Sequence, residues 1–167
     1  TPTLSSAASD VYKRQTLVAE DKRFFSHSGL DYLAIARATK DLLRKGSIVS
    51  GASTITQQLV KISSPPGKRN LLTKIREALT ARHLEYRWSK EEILTAYLNR
   101  LDYGNHRQGC REAARFYFGK ALSDLSLGEC SLLAGLPQSP TLHNPLRNPQ
   151  SALHRRSWIL ERLEKER

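Results

Sequence analysis

Residues able to do chemistry gather in three short stretches. The first is Glu20-Asp21, followed by Phe24, Phe25, His27 and Gly29. Two adjacent carboxylates beside aromatic side chains favour partial desolvation of one of them. Desolvation disfavours its charged form and makes it a better proton acceptor near neutral pH. The plainer reading is a solvated helix end beside a packed phenylalanine pair. The second stretch is Gly51-Ala52-Ser53-Thr54-Ile55-Thr56-Gln57-Gln58. Small hydroxyl residues leading into a helix leave backbone N–H groups able to meet an anion or a sugar oxygen. Paired glutamines add the neutral donors and acceptors that carbohydrate hydroxyls need; the plainer reading is an ordinary N-cap with surface glutamines. The third is the cationic series Lys61, Lys68, Arg69 and Lys74, with Glu77 three residues beyond Lys74. Such a series suits a diphosphate, whose departure positive charge stabilises, although a surface ion pair contributing about 0–1 kcal/mol accounts for Lys74 and Glu77 as well. His83, His106, His143 and His154 have no partners at metal-ligand spacing and are read as structural or solvated, so no metal site is assigned.

The elements that must position these stretches read as helices. Asp31 is a candidate N-cap for a helix running to Lys45, with Gly46 as its stop. Ile55, Leu59 and Ile62 recur at helical spacing, leaving Gln57, Gln58 and Lys61 to face elsewhere. Residues 63–70, with two prolines and a glycine, predict a loop. Leu72, Ile75 and Leu79 then predict one apolar face of a following helix. Ser89 with Glu92, and Ser126 with Glu129, are capping-box signatures, the first before Ile93, Leu94, Tyr97 and Leu98, the second before Leu132, Leu133 and Leu136. Pro137 and Pro140 end that second helix. Asn148 and Pro149 open a last one, with Ile159 and Leu163 inward. No stretch alternates with a period of two over five residues or more, so the predicted fold class is mainly α.

The 167 residues fit one domain of this kind with a real core. Residues 1–15 are rich in Ser and Ala without apolar periodicity and are read as a disordered or foreign leader, leaving 16–167 as the domain. A net charge of +11 implies an anionic partner: nucleic acid, anionic lipid or a phosphorylated substrate. Cys110 and Cys130 lack C-x-x-C spacing, which argues against a structural zinc; a disulfide and two buried thiols both stay open. No apolar run approaches the roughly 18–20 residues that a membrane span needs. The chain reads as a piece of a longer protein.

Taken together and in this order, the three stretches resemble the motifs of glycosyltransferase family 51, the peptidoglycan glycosyltransferase domain of class A penicillin-binding proteins and monofunctional transglycosylases. The first motif, E-D-x-x-F-x-x-H-x-G, is complete as Glu20, Asp21, Phe24, His27 and Gly29. The second, G-x-S-T-I-T-Q-Q, is complete from Gly51 to Gln58. The third, R-K-x-x-E, is present as Lys74 and Glu77, with Thr73 in place of its arginine. The fourth, K-x-x-I-L-x-x-Y-L-N, runs complete from Lys90 to Asn99. The fifth is matched by Arg155, Ile159, Leu160 and Leu163 with conservative changes. Gly104 to Cys110 looks nearer the penicillin-binding protein 1C branch.

The resemblance implies a lysozyme-like domain with a large lobe and a small membrane-proximal lobe. It implies an enzyme that polymerises lipid II, a disaccharide-pentapeptide on undecaprenyl diphosphate, onto a growing glycan strand with inversion. Glu20 would be the general base and Glu77 the second important carboxylate. Lys61, Arg69 and Lys74 would hold the donor diphosphate; Ser53, Thr54, Gln57 and Gln58 would meet sugar or backbone; Arg37 would serve the acceptor. Asp21, Phe24, His27, Gly29, Gly51 and Asn99 would support the motifs. No cofactor is required, with a divalent cation, Mg or Mn, as an option. The implied setting is the outer, periplasmic face of the bacterial cytoplasmic membrane, with peripheral attachment to anionic lipid and a transpeptidase domain elsewhere in the parent chain. Leu30 to Val49, apolar residues interleaved with Arg37, Lys40, Arg44 and Lys45, is the candidate membrane-facing segment. Two rivals are weighed. A lysozyme-like hydrolase wants a general acid, often with a second carboxylate, and gives no reason for a cationic series. A basic nucleic-acid-binding helical module should line its cations with stacking aromatics, and the chain is only 7% aromatic.

Overall fold

Local signals set most of the helix boundaries. In the computed structural model, which describes residues 7–45, 53–65 and 70–166, eight α-helices of nine residues or more follow in chain order. They are α1 (Ala7–Glu20), α2 (Tyr32–Lys45), α3 (Ile55–Ser63), α4 (Leu71–Arg87), α5 (Lys90–Arg100), α6 (Cys110–Phe118), α7 (Leu127–Gly135) and α8 (Pro149–Glu164). No strand occurs among the described residues, only an isolated bridge between Asp102 and Gln108. The mainly α class is therefore the observed one.

Caps explain where several helices begin. Asp31 accepts a hydrogen bond from the Ala34 amide at 2.9 Å and starts α2. Thr54 and Gln57 make a reciprocal capping box at α3, and Ser126 and Glu129 make one at α7. Ser89 and Glu92 bond each other in the same way ahead of α5. Asn148 stands at the start of α8 without a side-chain cap bond, so Pro149 with its preset φ carries that start. Pro137 does not stop α7 abruptly, because a 3-10 turn, Leu136–Gln138, carries the chain one step further. The expected stop at Gly46 and the glycine of the second motif, Gly51, lie outside the described residues.

The chain divides into two compact units, residues 20–97 and residues 1–19 with 98–167. In the second of these, α7 packs on α8 and α6. Its core is mainly apolar: Leu98, Leu101, Tyr103, Cys110, Ala113, Cys130, Leu133, Leu136 and Ile159 are buried. Leu163 is only half-buried. The reading of residues 1–15 as disordered is corrected from Ala7 onward, where the chain is helical and Tyr12 and Gln15 are fully buried. Serine- and alanine-rich composition hid this, because the buried positions are few and two of them, Ser9 and Gln15, are polar. Cys110 and Cys130 are both free thiols, and both are buried.

In the unit of residues 20–97, α3 packs on α4 over Ile55, Leu59, Val60 and Ala81. Here one expectation fails. Leu72, Ile75 and Leu79 do share a face of α4, but that face is exposed, Leu72 by 75% and Leu79 by 67%. The buried face is set instead by Ala81, with Leu84 and Glu85 half-buried beside it.

Candidate active site

The two adjacent acids at the end of α1 have different surroundings. Asp21 is buried, and its carboxylate meets His27 Nε2 at 3.1 Å and accepts the Ile55 backbone N–H at 3.0 Å. That amide is the first of α3, where unmet donors and the positive end of the helix dipole favour an anion. Asp21 thus ties the first motif to the start of the second. Glu20 is half-buried, and its Oε2 accepts a hydrogen bond from Gln58 Nε2 at 3.2 Å. The acid pair therefore separates into a structural carboxylate and a more accessible one.

The second motif works mainly as scaffold. Thr54 donates its hydroxyl to the Gly29 carbonyl at 2.7 Å, and its Oγ1 accepts the Gln57 amide. Gln57 returns the bond by accepting the Thr54 N–H at 3.0 Å, and it is buried. Gln58 donates to Glu20 and accepts the Tyr97 hydroxyl at 2.9 Å. The glutamines expected to meet sugar are thus turned toward protein groups. Gly29 holds a φ of +81°, and a Cβ there would lie 2.9 Å from the Arg82 backbone nitrogen and 3.0 Å from the Ala81 carbonyl. Only glycine lets this loop lie so close to α4.

Beneath this lies a polar network whose acid, Glu85, was not singled out from the sequence. Thr56 donates to the Glu85 carboxylate, Lys90 pairs with the same oxygen at 2.8 Å, and Lys90 Nζ sits 4.3 Å from the centre of the Phe24 ring. Phe24 is fully buried and meets His27 edge-on, whereas Phe25 is exposed. The opening Lys90 of the fourth motif is thus an anchor for α4 and for the first motif. No local spacing marked Glu85, because its partner Thr56 lies 29 positions away.

Lys74 brings a second cluster together. Its Nζ donates to Ser53 Oγ at 2.9 Å and to Glu77 Oε2 at 3.2 Å. The lysine side chain is half exposed while Glu77 is largely covered. A cation held between a loop hydroxyl and a carboxylate is fixed in direction yet open to an anion. Thr73, in place of the motif's arginine, instead joins its hydroxyl and amide to the Asn70 side chain that caps α4. Lys61 is exposed on α3. Arg37 is exposed on α2, its Nε 3.4 Å from the Leu33 carbonyl of its own helix. Arg69 and Lys68 lie outside the described residues. Asn99 is half-buried, and its backbone oxygen would sit 2.9 Å from a Cβ at Gly109.

The arrangement offers one half-buried carboxylate held by an amide donor, a second carboxylate locked into structure, and a positioned lysine on the neighbouring helix. Such an inventory suits proton removal coupled to departure of an anionic group. Comparison with known proteins gives the family. A family model described as transglycosylase matches residues 2–164. Penicillin-binding protein 1A of Pseudomonas aeruginosa is 44% identical over 149 residues, 89% of this chain and 18% of that protein. The 1A protein of Neisseria lactamica is 40% identical over 158 residues, 95% of the chain and 20% of the relative, and that of Vibrio cholerae 41% over 147, 88% and 18%. The chain thus spans about a fifth of the length of these relatives, and their 1A names lend nothing to a 1C placement. On the match over nearly its whole length, the chain belongs to the transglycosylase family and is a peptidoglycan glycosyltransferase domain of glycosyltransferase family 51.

Proposed function

We propose that this domain polymerises lipid II into glycan strands in three linked events. Glu20 takes the proton of the acceptor sugar's 4-hydroxyl. That oxygen forms a bond to the donor's anomeric carbon, and the carbon–oxygen bond to the lipid diphosphate breaks, its electron pair leaving with the diphosphate. A single displacement of this kind inverts the anomeric centre and needs a base and a stabilised leaving group, but no covalent nucleophile. The observation that carries the reading is the division of the acid pair: Asp21 is held by His27 and the α3 amide, so Glu20 is the carboxylate left for proton transfer.

Lys74, aimed by Ser53 and Glu77, supplies positive charge to the diphosphate, joined in this reading by Lys61 and Arg69. Glu77 acts by holding Lys74, and Arg37 is assigned to the acceptor. Thr54 and Gln57 position the start of α3. A protein-held divalent cation fits this cluster poorly. Glu77 is already paired with Lys74, and no group of three metal-binding side chains occurs among the described residues. Magnesium or manganese would draw most of its oxygen ligands from the diphosphate and water. A hydrolase reading asks for a second working carboxylate, and Asp21 is committed elsewhere.

The substrate's lipid places the reaction at a membrane surface, in this proposal the outer face of the cytoplasmic membrane, with the parent chain's remaining length carrying a transpeptidase. No helix of the described residues is long and apolar enough to cross a membrane. Attachment is assigned instead to α2, where Tyr32, Leu33 and Leu43 are exposed alongside Arg37, Lys40 and Arg44; the Leu42 side chain lies outside the described residues. The decisive experiment supplies lipid II in detergent and resolves products on a gel, with and without moenomycin. Long glycan polymer that disappears with the antibiotic is expected. Monomeric sugar products released from preformed strands would overturn the reading in favour of hydrolysis.

A further inference from the structure

The tyrosine of the fourth motif is fully buried at the far end of α5, yet its hydroxyl reaches the site. Tyr97 donates to Gln58 Oε1 at 2.9 Å, and Gln58 in turn donates from Nε2 to Glu20 Oε2 at 3.2 Å. We propose that Tyr97 is a positioning residue that fixes the Gln58 amide so that its NH2 always faces Glu20, selecting the ionised base. The inference rests on the reading of Glu20 as that base.

The chemistry follows from what each group can donate. A side-chain amide presents an acceptor on one side and donors on the other, and it can turn over. With NH2 toward Glu20, the amide stabilises the carboxylate; with the oxygen toward Glu20, it repels the carboxylate and accepts from the protonated acid. A tyrosine hydroxyl donating to Oε1 stabilises the first orientation. Hydrogen bonding to the charged form lowers a carboxyl pKa, and losing it raises the pKa. Tyr97 is well suited to hold the amide because it is buried on a helix whose neighbours Ile93, Leu94 and Leu98 are buried too. The relay spans 77 positions of sequence, from Glu20 to Tyr97, so helical spacing gave no sign of it.

The test compares Tyr97→Phe, Gln58→Ala and the double variant in the full-length chain, reading initial polymerisation rates of lipid II across pH and thermal midpoints. Tyr97→Phe keeps the ring and should leave the midpoint near that of the parent. Its rate at neutral pH should fall roughly three- to tenfold, about the worth of one hydrogen bond, and the acidic limb of its pH–rate profile should move to higher pH. The double variant should resemble Gln58→Ala alone, because the tyrosine acts only through the glutamine. An unmoved acidic limb in Tyr97→Phe, or rate losses that multiply in the double variant, would overturn the proposal while leaving Glu20 as base. If Glu20→Gln instead keeps full turnover, the base assignment itself fails.

Discussion

The two units bury different chemistry. The unit of residues 1–19 and 98–167 hides leucine, alanine, isoleucine and two thiols together with uncharged polar side chains, Ser9, Gln15, Thr16, Ser131 and Asn144. The unit of residues 20–97 hides Asp21, Asp31, Thr54, Thr56 and Gln57, and turns Leu33, Leu43, Leu71, Leu72, Ile75, Leu79 and Tyr86 outward. Buried polar groups cost stability unless each finds a partner; here they are linked into caps and clamps that define directions for Glu20 and Lys74. One unit is built for cohesion and the other for placement. Exposed apolar side chains on α2 and α4 fit the proposal of a substrate that ends in a lipid.

This contrast can be broken by substitution, and the largest effect should fall on rate alone. Glu20→Gln should lower polymerisation roughly 10²- to 10⁴-fold, the usual worth of a general base, with an unchanged thermal midpoint in the same preparation. Asp21→Ala should behave differently. It removes the partner of His27 and of a buried helix-start amide, and should cost about 3 kcal/mol of stability, visible as a lower midpoint together with lost activity. Leu133→Ala in the other unit should cost about 2–5 kcal/mol by cavity formation. Under conditions where the variant stays folded, turnover per molecule should be retained. Equal activity losses at Asp21 and Leu133 at matched stability would erase the distinction between the units.

Smaller effects sharpen it. Lys74→Ala and Lys61→Ala should each slow turnover about ten- to a hundredfold, as loss of a charge-assisted phosphate bond predicts, whereas Lys165→Ala near the end of the chain should not; equal mild losses at all three would indicate diffuse electrostatics. Flotation with anionic vesicles at low salt should recover the protein, less so for Leu33→Ser with Leu43→Ser, and less again in high salt. Protein wholly unbound at low salt would remove the membrane assignment. The smallest effect concerns Glu129. A hydrogen bond from Lys120, then the Ser126 amide, holds its carboxyl down at about 2. A depressed folded-state pKa contributes stability above the ordinary carboxylate range, and that contribution is lost as pH falls from about 4.5 toward about 2. Glu129→Ala should therefore cost about 1 kcal/mol at neutral pH, and the difference from the parent should shrink across that acidic window.

Motifs and caps were legible in the sequence because they are local. Asp31, Ser89 with Glu92, and Ser126 with Glu129 act within three or four residues of chain, and each does what its spacing predicts. Periodicity placed Leu72, Ile75 and Leu79 together but misjudged their surroundings, since a repeat of 3.6 says which residues share a face and not what covers it. The acid pair was visible, yet its division depended on His27 and the Ile55 amide arriving from the fold. Thr56 with Glu85, and Tyr97 with Gln58, are bonds across 29 and 39 positions of the chain, so local spacing shows the motif residues but not whom they meet.

The two thiols give this protein an internal clock. Cys110 and Cys130 are the only cysteines, both wholly buried, and burial pushes each thiol up to about 11. The thiolate is the reactive species, so an alkylating reagent at neutral pH has almost nothing to attack until the surrounding helices open. Both residues lie in the unit of 1–19 and 98–167. Labelling kinetics therefore count the openings of that unit by itself, without an engineered probe, and leave the lifetime of the other unit to be measured separately.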